Sequence, residues 1–521
     1  MDPPGYTDKK YTSCPVKCTS IAFRRTQYIE TNYYHVLACC KDEGGIGALE
    51  WSGIDKYVRI GSKISIFSKV RVLRVASAGT ALISLIPEYY GVIQVHIDGI
   101  FELRRLNVKI IIHRGANEIG GTCIQLSTEN TTILLDLGLP LSKDSKLLDV
   151  STLKPDAVLI SHPHQDHFGL IDMLDSEIPV FIGELGKNLI DATRILIGSK
   201  LHTNNFHHFK SWEPFTIGDF EVTPYLVDHS AVDAYGFLIE AEGKRVFYSG
   251  DFRAHGRKSV LFDNIVKKPP KDIDVLFMEG TMMQRNNDKF PTESDVEQTI
   301  FETIKGQKNI TFIISSSQNI DRIVSAFRAC KRAGKTLVID IYTAWVLEQL
   351  KLVSNSIPSM EWEQVKVYTS FNQDNRLKEH PEFFGDFRKR IYKQRVHKEE
   401  LHANPDSYLF FGKMSHFKII NLHKEMAPVN VVYSQWLGYL SCSDEDYYGA
   451  EAIAGYQKDP QVNFVYAHTR GHATVQDLQR FAGALNPKML VPVHTECGES
   501  YRALFNNVAL LQDSIEFKIG G

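Results

Sequence analysis

Residues 157–169 read Ala157-Val158-Leu159-Ile160-Ser161-His162-Pro163-His164-Gln165-Asp166-His167-Phe168-Gly169. The apolar opening predicts a short buried strand. It runs into a polar burst of three imidazoles and a carboxylate: His162, His164, Asp166 and His167. In extended backbone His162 and His164 point the same way. Asp166 and His167 follow where Gly169 signals a turn, so they can address a second point a few ångströms away. Nitrogen and carboxylate donors at this density suit zinc or a similar divalent ion.

Working outward, the same layout recurs. A strand over Lys109–His113 enters a glycine-rich turn, Arg114 to Gly121, and strands follow at 122–126 and 132–136. No helix opens after that turn, which argues against a nucleotide-phosphate cradle. Asp136 closes its strand and is expected to orient a ligand histidine; a solvated strand-end aspartate is the alternative. His229 follows the strand beginning at Val222, and Asp251 follows Arg245–Tyr248. Glu279 follows Asp274–Met278, and His494 follows Met489–Val493. Strand ends are where layered α/β scaffolds carry their sites. His202, His207 and His208 lack ligand spacing and read as surface histidines. His468 and His472 lie just past the strand Asn463–Ala467, which is assigned to the first domain's layers.

Composition sets bounds. The chain has 521 residues, enough for two to four domains. Its net charge of −3 provides no global basic field, so a polyanion site has to be local or metal-borne. The eight cysteines form no secreted disulfide framework. With no membrane-length apolar run or leader sequence, a reduced cytoplasmic protein is expected. Residues 1–107 read as a small β-rich extension, with strands near 57–60, 64–67, 70–73 and 92–95. Cys14, Cys18, Cys39 and Cys40 there are either a zinc set of irregular spacing or ordinary thiols.

From about 290 to 435 strands alternate with helices, implying a parallel sheet flanked by helices. Ser315 and Ser317, after the strand 309–314, and Ser434, after 429–433, could hold phosphates or serve as loop caps. Arg253 and Arg257 form a compact basic loop beside Asp251, read as phosphate contacts. Residues 387–395, basic with interleaved aromatics, are either a solvated helix face or a surface tracking nucleic acid.

The seven candidate ligands divide between two metals. His162, His164 and His229 take the first; Asp166, His167 and His494 take the second; Asp251 bridges. Two divalent ions, zinc by donor type, polarise a phosphoryl or acyl oxygen and supply a nucleophile at neutral pH, with Asp166 in the reacting pocket. His472 is left as proton donor to a leaving group, oriented by Glu279.

His162-x-His164-x-Asp166-His167 with Asp136, His229 and Asp251 resembles the metallo-β-lactamase superfamily. More than two hundred residues separate Asp251 from His494. With Glu279-Gly280-Thr281, His472 in Arg470-Gly471-His472-Ala473, and Val493-His494-Thr495, this is similar to its β-CASP branch. That branch includes ribonuclease J and the endonuclease of pre-mRNA 3′-end cleavage. DNA-processing members commonly carry valine where this chain has His494, so the likeness is to RNA-cutting members. The resemblance implies an α/β fold: a metallo-β-lactamase αββα sandwich with an inserted β-CASP α/β domain and a small β-rich N-terminal extension. The expected segments are 1–107, 108–288 (sandwich), 289–436 (insertion) and 437–521 (sandwich again). It implies hydrolysis of single-stranded RNA in a cleft between the two domains, with two Zn²⁺ ions. No membrane partner is expected, and a homodimer is the assembly allowed for. DNA, a thioester or lactone, and a non-catalytic RNA-binding role are the competing readings.

Overall fold

The computed structural model describes residues 108–285, 291–426, 428–445 and 447–519, together with strand backbone between 18 and 96. The chain divides into two units, 1–105 and 106–521. In the first, five antiparallel strands run in order from Cys18–Tyr28 through Thr31–Asp42, Gly45–Ser52 and Tyr57–Ile60 to Lys63–Ile66. A second sheet joins Val70–Ala76, Thr80–Leu85 and Ile93–His96. Sequence reading missed the first three strands, whose charged and polar residues blur the alternation, and also Thr80–Leu85. The cysteine question lies outside the described residues.

The second unit is built on two facing sheets. One has seven strands in the order Asn205–Phe209, Pro179–Gly183, Ala157–Leu159, Thr132–Leu135, Cys123–Ser127, Lys109–Arg114 and Glu516–Lys518. The other has six: Phe215–Ile217, Phe220–Leu226, Tyr235–Ala241, Lys244–Tyr248, Val275–Glu279 and Met489–Val493. Alternate residues interleave between them: Ile110, Ile112, Ile124 and Ile133 from one meet Val222, Phe237, Ile239 and Phe277 from the other. The outer faces are covered too. Phe262 and Ile265 of helix Ser259–Lys267, and Leu478 and Phe481 of Val475–Leu485, pack on Phe247, Leu276 and Leu490. Phe168 and Ile190 cover Leu134, Val158 and Val180 on the other side. This is an αββα sandwich.

An α/β domain is inserted into the second sheet. Val275–Glu279 and Met489–Val493 are adjacent parallel strands, with Glu279 opposite Val493. Between them the chain forms a seven-stranded parallel sheet, ordered Arg395–Val396, Val365–Tyr368, Thr336–Asp340, Tyr408–Gly412, Thr311–Ile314, Val429–Tyr433 and Val462–Tyr466. Its central strands, Thr336–Asp340, Tyr408–Gly412, Thr311–Ile314 and Val429–Tyr433, are mostly apolar and buried on both faces. The insertion outlasts its expected end at 436. Val462–Tyr466 pairs with Val429–Tyr433 in this sheet, not with the sandwich. A five-residue apolar run carries no mark of which sheet it will join, and that caused the misassignment. Helix Glu184–Ile197 of the sandwich docks on the insertion's core through Leu189, Ala192 and Ile195. Among the described residues, no helix is long and apolar enough to cross a membrane.

Candidate metal centre

Each candidate donor is delivered by a strand end. Ala157–Leu159 pairs in parallel with Thr132–Leu135, which sets Asp136 beside the loop 160–167. There Asp136 accepts from Ser161 N (2.6 Å), Ser161 Oγ (2.8 Å) and the Tyr248 hydroxyl (2.6 Å). Its Oδ2 lies 2.7 Å from His167 Nδ1. That contact directs His167 Nε2 into the pocket, the job of a carboxylate behind a ligand imidazole. Gly138 lets the segments close, because a Cβ there would sit 1.7 Å from the Asp166 carbonyl oxygen. Backbone strain marks the site as well. Asp136 (φ 60°) and His494 (φ 52°) both occupy the left-handed region. Each is pinned by a backbone bond: Asp136 N to Leu159 O and His494 N to Gly115 O, both 2.8 Å.

All seven candidate ligands converge. His162 Nε2 and His229 Nε2 lie 3.0 and 3.3 Å from His164 Nδ1. Asp251 Oδ2 stands 3.8 Å from His162 Nε2, 3.2 Å from His167 Nε2 and 3.6 Å from His494 Nε2. Asp166 Oδ2 is 3.7 Å from both His167 Nε2 and His494 Nε2. Donors bound tetrahedrally to one zinc stand roughly 3.3–3.6 Å apart, so these spacings fit a divalent ion. Two sets, His162/His164/His229 and Asp166/His167/His494, face inward, and Asp251 adjoins both. His167 Nε2 and Asp251 Oδ1 are buried without a hydrogen-bond partner, which suits a cation between them. The remaining ring nitrogens are held from behind: His229 Nδ1 by Gly471 O (2.7 Å), His494 Nδ1 by Thr122 Oγ1 (3.0 Å), His162 Nδ1 by Ser161 Oγ (3.0 Å).

The electrostatics agree with the donor chemistry. Burial, then the neighbouring imidazoles, hold His162 well below the usual histidine range. Burial brings His164 down to about 4. Both are therefore neutral and able to donate a lone pair. Burial alone would lower His167 too, but the carboxylates of Asp251, Asp166 and Asp136 hold it well above the ordinary value. A proton then sits where three carboxylates call for positive charge. His472 is also raised: burial opposes, while Glu279 and Asp251 prevail. Its Nδ1 lies 3.4 Å from Glu279 Oε2. Glu279 is fixed by Thr281 N (2.9 Å) and Ala473 N (3.1 Å).

The expected substrate contacts fare differently. Arg253 is fully buried and meets no phosphate path. Its Nε pairs with Asp228 (3.2 Å), its Nη2 with Asp321 (2.6 Å), and its Nη1 donates to the Arg470 carbonyl (3.0 Å). Arg257 donates to Glu297 (2.7 Å) and Ser325 (2.9 Å). Both arginines join the sandwich to the insertion, and the acids they meet lie mostly in distant sequence. Ser317 is taken by Thr343 Oγ1 (2.8 Å), and Ser434 by Arg322 and the Ala467 carbonyl. Ser315 alone of the three keeps a buried hydroxyl without a partner; it lines a cavity of about 420 Å³ with Gln318, Lys413 and Gln435. In helix Phe387–Lys393 the two arginines are paired: Arg388 with Asp374, Arg390 with Glu348 and Glu361. His202 is buried against Asp172, not on the surface, whereas His207 and His208 are exposed. Ser161, Thr122 and Tyr248 were not anticipated. They are ordinary residues in strands or loops, and only tertiary pairing brings them to the site.

Residues 131–338 match the model of the beta-lactamase superfamily domain. The matched domain and the αββα sandwich with its inserted α/β domain are of the metallo-β-lactamase type with β-CASP organisation, a type that implies divalent-metal binding. Within that class it is ribonuclease J-like. It is 22% identical over 423 residues to the ribonuclease J of Mycoplasma genitalium, covering 74% of this chain and 68% of that one. It is 30% identical over 220 residues to the probable RNase MJ4 of Methanocaldococcus jannaschii, covering 38% and 50%. The matches thus span from half to about two thirds of these relatives' lengths. A crystal structure of a protein of unknown function from Enterococcus faecalis V583 shares the fold. Its TM-score is 0.61 at 19% identity, over 79% of this chain and all of that one.

Proposed function

We propose that this chain is a two-zinc hydrolase that cleaves phosphodiester bonds of single-stranded RNA in the cleft between sandwich and insertion. The observation that carries the reading is the seven-donor cluster centred on Asp251, with His472 and Glu279 at its rim. His162, His164 and His229 would hold one ion, Asp166, His167 and His494 the other, and Asp251 both. Bound there, the ions would polarise the scissile phosphoryl group and make water nucleophilic at neutral pH. The protein's own part is positioning and proton transfer. Asp136 keeps His167 in one tautomer. Glu279 holds the proton on His472 Nδ1 and favours the cationic ring, which can then give a proton to the departing oxygen. Ser315, with its unengaged hydroxyl, is the remaining candidate for a phosphate contact. RNA as substrate is supported by the relatives named ribonuclease J and RNase MJ4.

The test is direct. Zinc-loaded protein is incubated with 5′-labelled single-stranded RNA, single-stranded DNA and a thioester. RNA should be cut, and Asp251→Asn should abolish cutting. DNA cleavage with RNA left intact would refute the RNA assignment, and thioester turnover alone would place the chain among small-molecule hydrolases.

A further inference from the structure

The loop after strand Val429–Tyr433 is out of keeping with a soluble surface. Trp436, Leu437, Tyr447 and Tyr448 are all exposed, with Trp436 at 47% and Tyr448 at 53%. Exposed apolar groups scattered singly need no explanation, but four within thirteen residues form a patch. The loop stands at the metal centre. The sandwich segment it meets flanks Asp166: a Cβ added at Gly120 would lie 2.7 Å from the Leu141 side chain and 3.3 Å from that of Asp166. Lys143, from the sandwich, donates to the Glu445 carbonyl and ties the loop across the cleft (2.5 Å).

The aromatic groups are ordered. Gly438 seats the indole, since a Cβ at that position would lie 2.2 Å from the ring of Trp436. Tyr439 meets Trp436 edge to face at 5.4 Å and stacks on Tyr447 at 4.6 Å. Tyr448 is braced by Phe417 at 5.5 Å. Beside them Gln435 is buried, its amide hydrogen-bonded to the Tyr447 side chain and its Oε1 unpartnered. The tip carries Asp444 and Glu445, which would repel phosphates. Contact at this loop therefore has to be made by aromatic faces.

Building on the reading of the site as one that acts on single-stranded RNA, we infer that Trp436, with Tyr439 and Tyr448, is a stacking platform for unpaired nucleobases next to the scissile bond. Gln435 Oε1 accepts from a base edge there. A duplex offers no free base faces, so the platform selects single strands. Stacking of this kind tolerates any base. It places affinity in the bases, whereas the metal centre works on the backbone.

The probes are a hexameric oligouridylate and the matching abasic ribose-phosphate strand. Each is mixed with the full zinc-loaded chain and followed by tryptophan fluorescence in stopped flow, before turnover. The oligouridylate should quench emission and the abasic strand should not. Trp436→Ala should remove the quench, weaken binding roughly 5- to 100-fold and raise KM for RNA. Its kcat, and its turnover of bis(4-nitrophenyl) phosphate, should stay near those of the parent. Trp436→Phe should restore most of the affinity. If Trp436→Ala proves unstable, Tyr448→Ala and Trp436→Phe carry the comparison. Equal binding of the abasic strand, or unchanged affinity in Trp436→Ala, would overturn the inference. So would an oligolysine peptide that quenches the indole in place of the strand. Base-dependent quenching without any RNA cleavage would leave the platform standing and remove the hydrolase reading.

Discussion

Asp136 is not among the candidate donors, yet four groups converge on its two oxygens and one of them is the His167 ring. Removing a carboxylate behind a ligand histidine typically costs 10- to 100-fold in metal affinity. Asp136→Ala should therefore lower zinc affinity by about that factor, read by competition with a chromogenic chelator, while Asp136→Asn should lose less. His472 makes the opposite prediction. His472→Ala should slow turnover by roughly 10²–10⁴ and leave zinc content unchanged; loss of zinc would make it a ligand. Arg253 shows a residue whose type pointed the wrong way. Its charge suggested phosphate, but three carboxylates surround it in the interior: Asp228, Asp321 and Glu293. Arg253→Ala should cost about 3–5 kcal/mol of stability, because it strands buried acids. A thermal melt would register this as a clear drop in midpoint, and RNA binding by the surviving folded fraction should not change.

Among elements, the ones that carry candidate metal donors were the most legible. A strand ending in His or Asp announces itself twice, by its apolar run and by the polar group that stops it. Ala157–Leu159, Lys244–Tyr248 and Met489–Val493 all did so. What stayed hidden was pairing. Nothing in Val462–Tyr466 states that it will lie beside Val429–Tyr433, and nothing in Ser434 that Arg322 will claim its hydroxyl. The segment after Val462–Tyr466 crosses between domains and carries His468, whose Nδ1 faces the Ser434 carbonyl at 3.1 Å. Burial and then Arg322 bring His468 down to about 3, so it is neutral in the fold. A histidine whose pKa is lower folded than unfolded stabilises fully above its unfolded value near 6.5. That stability is lost as pH falls toward 3. Below pH 6.5 the fold should lose up to about 1.4 kcal/mol per pH unit from this group. His468→Gln should flatten the slope of melting temperature against pH in that range.

For the whole molecule, two domains share one polar seam, made by Arg253, Asp321, Glu293 and Arg322. The donors come from both sides of the long excursion, since His494 follows it and the other six precede it. Ion binding therefore joins the two ends of the sandwich. Zinc at about 100 times its dissociation constant should add roughly 2.7 kcal/mol per site. Differential scanning calorimetry with and without a chelator should show the midpoint rising with zinc, and the increment should disappear in His494→Ala for the second site.

The adjacency of Glu279 and Val493 across some two hundred intervening residues also bears on synthesis at the ribosome. Chains emerge N-terminus first. A nascent chain that has exposed His162, His164, His229 and Asp251 still lacks the strand Met489–Val493 and the imidazole that follows it. His472, the proposed proton donor, arrives only shortly before. A hydrolase of RNA assembled on this plan would stay inert until the strand Met489–Val493 and His494 have been made and have paired with Val275–Glu279.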